Sequence, residues 1–141
     1  MKWLTCEPTC GSMIRVQAGS VLHYGVFVCP DEVIQFGVAP NRRADMKESD
    51  VRVLTTSLAD FQNGVACETA VFTSEETATH PTPAEAVATA RRRIGEGNYH
   101  IIYNNCEHFA YECVTGKRYS AQVEGVRALF RGLVNPQKGT E

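Results

Sequence analysis

Two neighbouring stretches of this chain carry apolar residues at consecutive positions and are separated by turn residues. In GSVLHYGVFV (19–28), apolar and aromatic side chains occupy both odd and even positions. Because alternate residues of a strand point to opposite faces, both faces of this segment would be apolar, which predicts a central strand. Pro30 and Asp31 then provide turn chemistry, and VIQFGV (33–38) is predicted to return as the second strand of a hairpin.

The length of the connecting loop decides which residues of this hairpin face each other. A loop of about three residues pairs Val28 with Glu32 and Gly25 with Gln35. His23 and Gln35 then become diagonal neighbours on one face, about 7 Å apart at the backbone and within side-chain reach. The hairpin therefore predicts a histidine–glutamine pair.

The remaining segments complete a pattern of strands and helices. Further strands are predicted at 51–56, 65–73 and 98–104, a short helix or turn at 57–64, a loop at 39–49 and a connection at 74–80. The 141 residues, 43% of them hydrophobic, are enough for one core. We therefore expect one α+β domain over 1–141, with its core at about 11–126 and an amphipathic helix at about 121–134.

The clearest helix signal lies at 82–94. Thr82 as N-cap, Pro83 at the first helical position and Glu85 three residues after the cap form a capping box, and Gly95 follows. Val87, Ala90 and Ile94 recur at helical spacing and predict the buried stripe. The arginines at 91–93 fall mostly off that stripe, which predicts a solvated face.

Cys106 is predicted as the first residue of a second helix, which runs to about Thr115, with Asn105 as its N-cap and Gly116 as its end. Cys106, Phe109, Ala110 and Cys113 share one apolar stripe, as expected of a core thiol. The unpaired N–H groups of a first helical turn, however, favour a thiolate and lower the pKa of a cysteine. The position alone therefore leaves a packed thiol and a nucleophile as alternatives.

A cysteine nucleophile needs a base. His108 is two helical residues from Cys106 and is thus turned away by about 200°, while His80 and His100 stand in a connection and at the start of a strand. His23 lies in the middle of a strand, where an imidazole must find a hydrogen-bond partner. Either it is a satisfied core histidine, or it is the base of a set that also contains Cys106 and Gln35.

Composition narrows the possible functions. The net charge is −2 and the single basic run is 91–93, which excludes the electrostatic pattern of a nucleic-acid binder. Glu7, Pro8 and Gly11 interrupt the N-terminal stretch, and no segment reaches the length of a spanning helix, so a cytoplasmic location is expected. The six cysteines are then expected to be reduced, and their spacing provides no second paired knuckle for zinc. We expect neither a metal nor a cofactor.

NCEHF (105–109), followed by Thr115 and Gly116, with IRV…VLHYGVFV (14–28) upstream, resembles the lecithin:retinol acyltransferase-like family. That family is a circularly permuted branch of the NlpC/P60 cysteine enzymes with a papain-like site, and the resemblance spans about 11–126. It implies an antiparallel sheet packed against helices.

The resemblance also implies roles for the three candidate residues. Cys106 corresponds to the nucleophile and His23 to the base, and Gln35 occupies the place of a third polar residue that is commonly histidine. Glutamine can accept a hydrogen bond from the imidazole but cannot titrate. We therefore expect activity with a shifted pH profile.

The implied chemistry is acyl transfer from a phospholipid or another acyl ester through a thioester on Cys106, with an acceptor or water completing an acyltransferase or phospholipase reaction. Two other classes stay open: a cysteine amidase or peptidase of the NlpC/P60 type, and a non-catalytic binding module. The apolar stripe at 121–134 is interpreted as a helix that closes the core, with peripheral contact to a membrane as the alternative.

Overall fold

The computed structural model describes residues 1–38, 47–100 and 104–119. The strands are β1 (Lys2–Leu4), β2 (Ser12–Ala18), β3 (Val21–Cys29), β4 (Glu32–Gly37), β5 (Arg52–Thr56) and β6 (Glu68–Val71). The helices are α1 (Leu58–Gln62), α2 (Ser74–Thr77), α3 (Pro83–Arg92) and α4 (Cys106–Thr115), with a 3-10 turn at Glu48–Asp50. The strands form one antiparallel sheet in the order β1-β6-β2-β3-β4-β5, so the predicted α+β class is confirmed.

The predicted hairpin is β3–β4, and its central register is confirmed, with Gly25 opposite Gln35. The predicted loop length of three residues was wrong. Cys29 pairs with Glu32, so two residues connect the strands, and the register shifts between Phe27 and Cys29. The extra residue in this bulge has the same effect on parity as a longer loop. His23 and Gln35 therefore share a face as predicted.

The two faces of the sheet are covered unequally. On one face, α4 packs across β2, β3 and β4 with α3 beside it, and the core includes Tyr24, Phe36 and Phe109. On the other face, Phe61 of α1 packs with a smaller group, Ile14, Val16, Phe27 and Val33. Apolar residues at both parities in β3 are thus explained by cover on both sides.

The predicted secondary structure needs three corrections. The segment 98–104 is not one strand, because His100 and Asn104 pair with each other through two backbone hydrogen bonds of 2.9 Å each. The connection after residue 73 contains α2, which begins with a capping box between Thr73 and Glu76. Strands β1 and β2 were not predicted, although Met13, Ile14 and Val16 give β2 a buried, largely β-branched pattern.

Helix α3 has the predicted capping box but ends earlier than predicted. Ile94 lies beyond the helix and is 47% exposed, so it is not part of the buried stripe. Arg93 is the largely buried residue instead: it forms ion pairs with Glu96 at 2.7 Å and with Glu112 of α4 at 2.8 Å. The segment predicted as a helix at 121–134 lies outside the described residues.

Candidate active site

Cys106 is the first residue of α4, as predicted. The side chain of Asn105 accepts a hydrogen bond from the N–H of His108 at 2.9 Å, and the N–H of Asn105 donates back to Nδ1 of His108 at 3.3 Å. This reciprocal cap fixes the start of the helix. His108 thus contributes to the cap, in agreement with its exclusion as the base.

The sheet opens where Cys106 meets it. The paired positions of β3 and β4 end at Gly25 and Gln35, although β4 continues to pair with β5 as far as Gly37. Beyond this point the backbone N–H groups of Tyr24, Glu107 and Cys106 itself face the sulfur of Cys106 and act to lower its pKa. The opened ladder therefore supplies a hydrogen-bond donor that a continuous sheet would use for pairing.

The expectation of a lowered cysteine pKa was wrong. Burial raises the pKa of Cys106 to about 11, and the negative charge of Glu107 adds to the increase, despite the three N–H groups that favour the thiolate. Cys106 is only 7% exposed, so loss of hydration outweighs the helix start. The resting side chain is a thiol, and a base must take its proton before it can act as a nucleophile.

The predicted histidine–glutamine pair is present. Nε2 of His23 lies 2.5 Å from Oε1 of Gln35, and Nε2 of Gln35 donates to Oγ1 of Thr56 at 2.8 Å. A carbonyl oxygen can only accept, so the imidazole nitrogen that faces it must be the donor. In the neutral ring, Nδ1 of His23 is therefore the basic nitrogen.

Two further residues fit closely around the His23 ring. The ring of Phe61 lies 5.4 Å from it, centroid to centroid, and is tilted by 32°. Gly37 leaves room beside the pair, because a Cβ there would lie 3.1 Å from Oε1 of Gln35 and 3.3 Å from Cε1 of His23. The imidazole is therefore held by packing as well as by its hydrogen bond.

One cavity of about 790 Å³ brings the predicted residues together: Cys106, His23 and Gln35 all line it. Its walls include apolar side chains from β2, β3, β4, α1 and the segments after β4, before β5 and before α4, namely Val16, Leu22, Phe36, Val38, Val51, Phe61 and Tyr99. The other three histidines, all in the described part of the chain, do not line it. A thiol, a base with a fixed tautomer and an apolar chamber thus share one space.

Sequence reasoning missed three contributors to this site. Thr56 looked like an ordinary strand residue, although it stands two positions beyond Leu54, the residue opposite Gln35, and so shares its face. Gly37 and the N–H of Tyr24 gave no recognisable signal, because their roles arise from the packing of separate segments. Within the described ranges, no group of three or more His, Cys, Asp or Glu residues is placed to hold a metal ion.

The fold and the site together define an α+β protein with a cysteine at a helix start and a histidine–glutamine pair on adjoining antiparallel strands. The sequence matches the lecithin retinol acyltransferase family over residues 6–119, so the chain belongs to this family. The family is generally enzymatic and of acyltransferase type. No individual curated protein matches the sequence. No helix in the described residues is long and apolar enough to cross a bilayer.

Proposed function

We propose that this protein is a cysteine-dependent acyltransferase or phospholipase that acts on phospholipids or other acyl esters through a thioester on Cys106. The observation that carries the proposal is the shared cavity, which is lined by both Cys106 and the oriented His23–Gln35 pair. Membership of an acyltransferase-type family supports the same reaction class. No cofactor is required for this chemistry.

The reaction begins with proton transfer from the Cys106 thiol to Nδ1 of His23, directly or through a water molecule. The sulfur then attacks the ester carbonyl carbon, a C–S bond forms, and the carbonyl π electrons move to oxygen. The leaving alkoxide departs with the proton held by His23, which leaves an acyl thioester. Water or an acceptor alcohol or amine then cleaves the thioester, with the imidazole acting again as the base.

The backbone N–H groups near the sulfur have a part in this sequence. Those of Tyr24, Cys106 and Glu107 favour a negative charge at this place. They stabilise the thiolate as it forms, and donors of this kind also stabilise a tetrahedral oxyanion. Gln35 adds no proton-transfer step, since an amide does not titrate, and keeps the imidazole in the tautomer that accepts at Nδ1.

The form of the cavity supports an acyl substrate. Its size falls within the range of small-molecule sites, roughly 300–1,000 Å³, and its walls are mainly apolar. Two of its residues, Val21 and Val65, are 56% and 43% exposed. We place the peripheral contact with a lipid surface at this rim, where an acyl chain could enter without crossing water.

The test is incubation with phosphatidylcholine vesicles, followed by intact-mass and peptide analysis. We expect one fatty-acyl adduct that is sensitive to hydroxylamine and located on the peptide containing Cys106, or free fatty acid and lysophospholipid if the thioester turns over rapidly. Cys106→Ser should abolish both signals, whereas Cys113→Ser should preserve them because Cys113 does not line the cavity.

Two results would change the assignment. If Cys106 reacts with iodoacetamide but no adduct or lipid product appears, the lipid substrate is wrong and amide or peptide bonds become the substrates to test. If Cys106 is also unreactive in the folded protein, the site is non-catalytic and a binding function is the better explanation.

A further inference from the structure

Tyr99 stands next to the nucleophile although it is seven positions before it in the sequence. His100 and Asn104 form an antiparallel pair. Tyr99 and Asn105 are the residues that flank this pair, and Asn105 directly precedes Cys106. The pair therefore brings the chain at Tyr99 back beside the start of α4.

Aromatic packing holds the Tyr99 ring on the same side of the sheet as α4. The ring meets Phe36 edge-on, with 5.1 Å between centroids, and Phe36 in turn meets Phe109 at 6.2 Å. Phe109 is one helical turn after Cys106 on the buried stripe. Tyr99, Phe36 and Cys106 all line the large cavity.

The Tyr99 hydroxyl makes no hydrogen bond with any residue that the structure describes. Partial burial, with smaller contributions from the neighbouring Cys106 and Glu48, raises the pKa of Tyr99 to about 12. The phenol therefore keeps its proton at any physiological pH and can donate it in a hydrogen bond. Tyr99 is half-buried and lines the cavity, so its hydroxyl is suited to donate to a group that enters there.

We propose that Tyr99 is a further catalytic residue, whose hydroxyl donates a hydrogen bond to the carbonyl oxygen of the acyl donor as that oxygen becomes an oxyanion. This inference rests on the acyl-transfer function proposed above. The hydroxyl supplies a side-chain donor beside the backbone N–H groups, and its hydrogen bond strengthens as negative charge develops on the carbonyl oxygen. It takes no part in removing the proton from Cys106, which His23 does.

The test is Tyr99→Phe, which keeps the ring and its contact with Phe36 and removes only the hydroxyl. Loss of one side-chain donor to an oxyanion lowers kcat by about 10²–10³, and we expect a decrease of this size in lysophospholipid release. Alkylation of Cys106 by iodoacetamide forms no oxyanion, so its rate should stay within about twofold. Tyr111→Phe, on α4 and outside the cavity, is the matched control and should preserve both rates.

Each other outcome contradicts a particular step. If Tyr99→Phe turns over within threefold of wild type, the hydroxyl does not contact the oxyanion. If alkylation falls in parallel with turnover, Tyr99 acts on the thiol instead. A p-nitrophenyl ester is assayed alongside the vesicles as a second acyl donor. If the wild-type protein is active on either donor, the comparison with Tyr99→Phe on that donor tests the role of the hydroxyl. If the wild-type protein is inactive on both, the acyl-transfer function is rejected, and the role of Tyr99 with it.

Discussion

Gln35 controls how readily His23 can take the proton of Cys106, and Gln35→Glu is the change that measures this control. Because the pKa of the Cys106 thiol is raised to about 11, transfer of its proton to the imidazole of His23 is unfavourable before the attraction between the two charges is counted. Reactivity at neutral pH therefore depends on small changes in imidazole basicity.

A carboxylate at position 35 would stabilise the protonated ring. Gln35 is 1% exposed and its Oε1 lies 2.5 Å from Nε2 of His23, so the carboxylate would be close and poorly screened. An opposite charge at such a distance raises an imidazolium pKa by about 1–3 units. The ratio of the thiolate–imidazolium pair to the neutral pair should rise about 10- to 1,000-fold. The iodoacetamide rate of Cys106 should rise by this factor only where the imidazole is not already protonated, so the gain is smaller at pH 7 and below. Thr56 keeps a partner, because its hydroxyl can donate to the carboxylate.

The assay is the second-order alkylation rate at Cys106, followed by peptide mass between pH 5 and 10. For Gln35→Glu, the low-pH limb of the profile, where the imidazole loses its proton and becomes able to accept that of Cys106, should move to higher pH because the carboxylate stabilises the protonated ring. Gln35→Leu removes the acceptor for Nε2 without adding charge, so its rate at pH 7 should fall below wild type. Cys113, with its pKa raised by burial to about 12, is the internal control and should stay unlabelled in the folded protein.

The reasoning is refuted if Gln35→Glu, folded and with an unchanged melting temperature, gives the wild-type rate and pH profile. The hydrogen bond from His23 to residue 35 would then have no influence on thiol ionisation. A shift of the low-pH limb to lower pH would contradict the sign of the argument, since it would mean that the carboxylate weakens the base.

Two further predictions follow from the surroundings of the pair. Gly37→Ala places a Cβ against both Gln35 and His23, so we expect lower rates of alkylation and turnover at Cys106 in a protein whose circular-dichroism spectrum is that of the folded state. Unchanged rates would show that Gln35 and His23 can shift without affecting the site. Thr56→Val leaves the buried amide of Gln35 without its acceptor and should lower the free energy of unfolding by about 1–3 kcal/mol, whereas Thr56→Ser should keep the wild-type value. Urea denaturation measures these free energies, and equal stability of the three proteins would contradict the prediction.

The sequence by itself determined the elements on which the site stands. Continuous apolar and aromatic runs indicated the strand character of β3 and β4, and the Asn105 cap indicated the start of α4, because these signals depend on residues within one turn or one strand. The shared face of His23 and Gln35 was predicted from a three-residue loop, whereas the structure reaches the same parity through a two-residue turn and a bulge. The family resemblance carried by NCEHF was confirmed by the family match.

Only the tertiary structure decided the electrostatics and the boundaries of the site. The helix start predicted a lowered pKa for Cys106, but α4 packs against the sheet so closely that burial raises it. Arg93 was predicted to be solvated, but it forms an ion pair with Glu112 at 2.8 Å and so links the end of α3 to α4. Thr56, Gly37 and Tyr99 reach the site from segments far apart in the chain. Desolvation and contact depend on what lies on the other side of a residue, and local sequence patterns do not specify that.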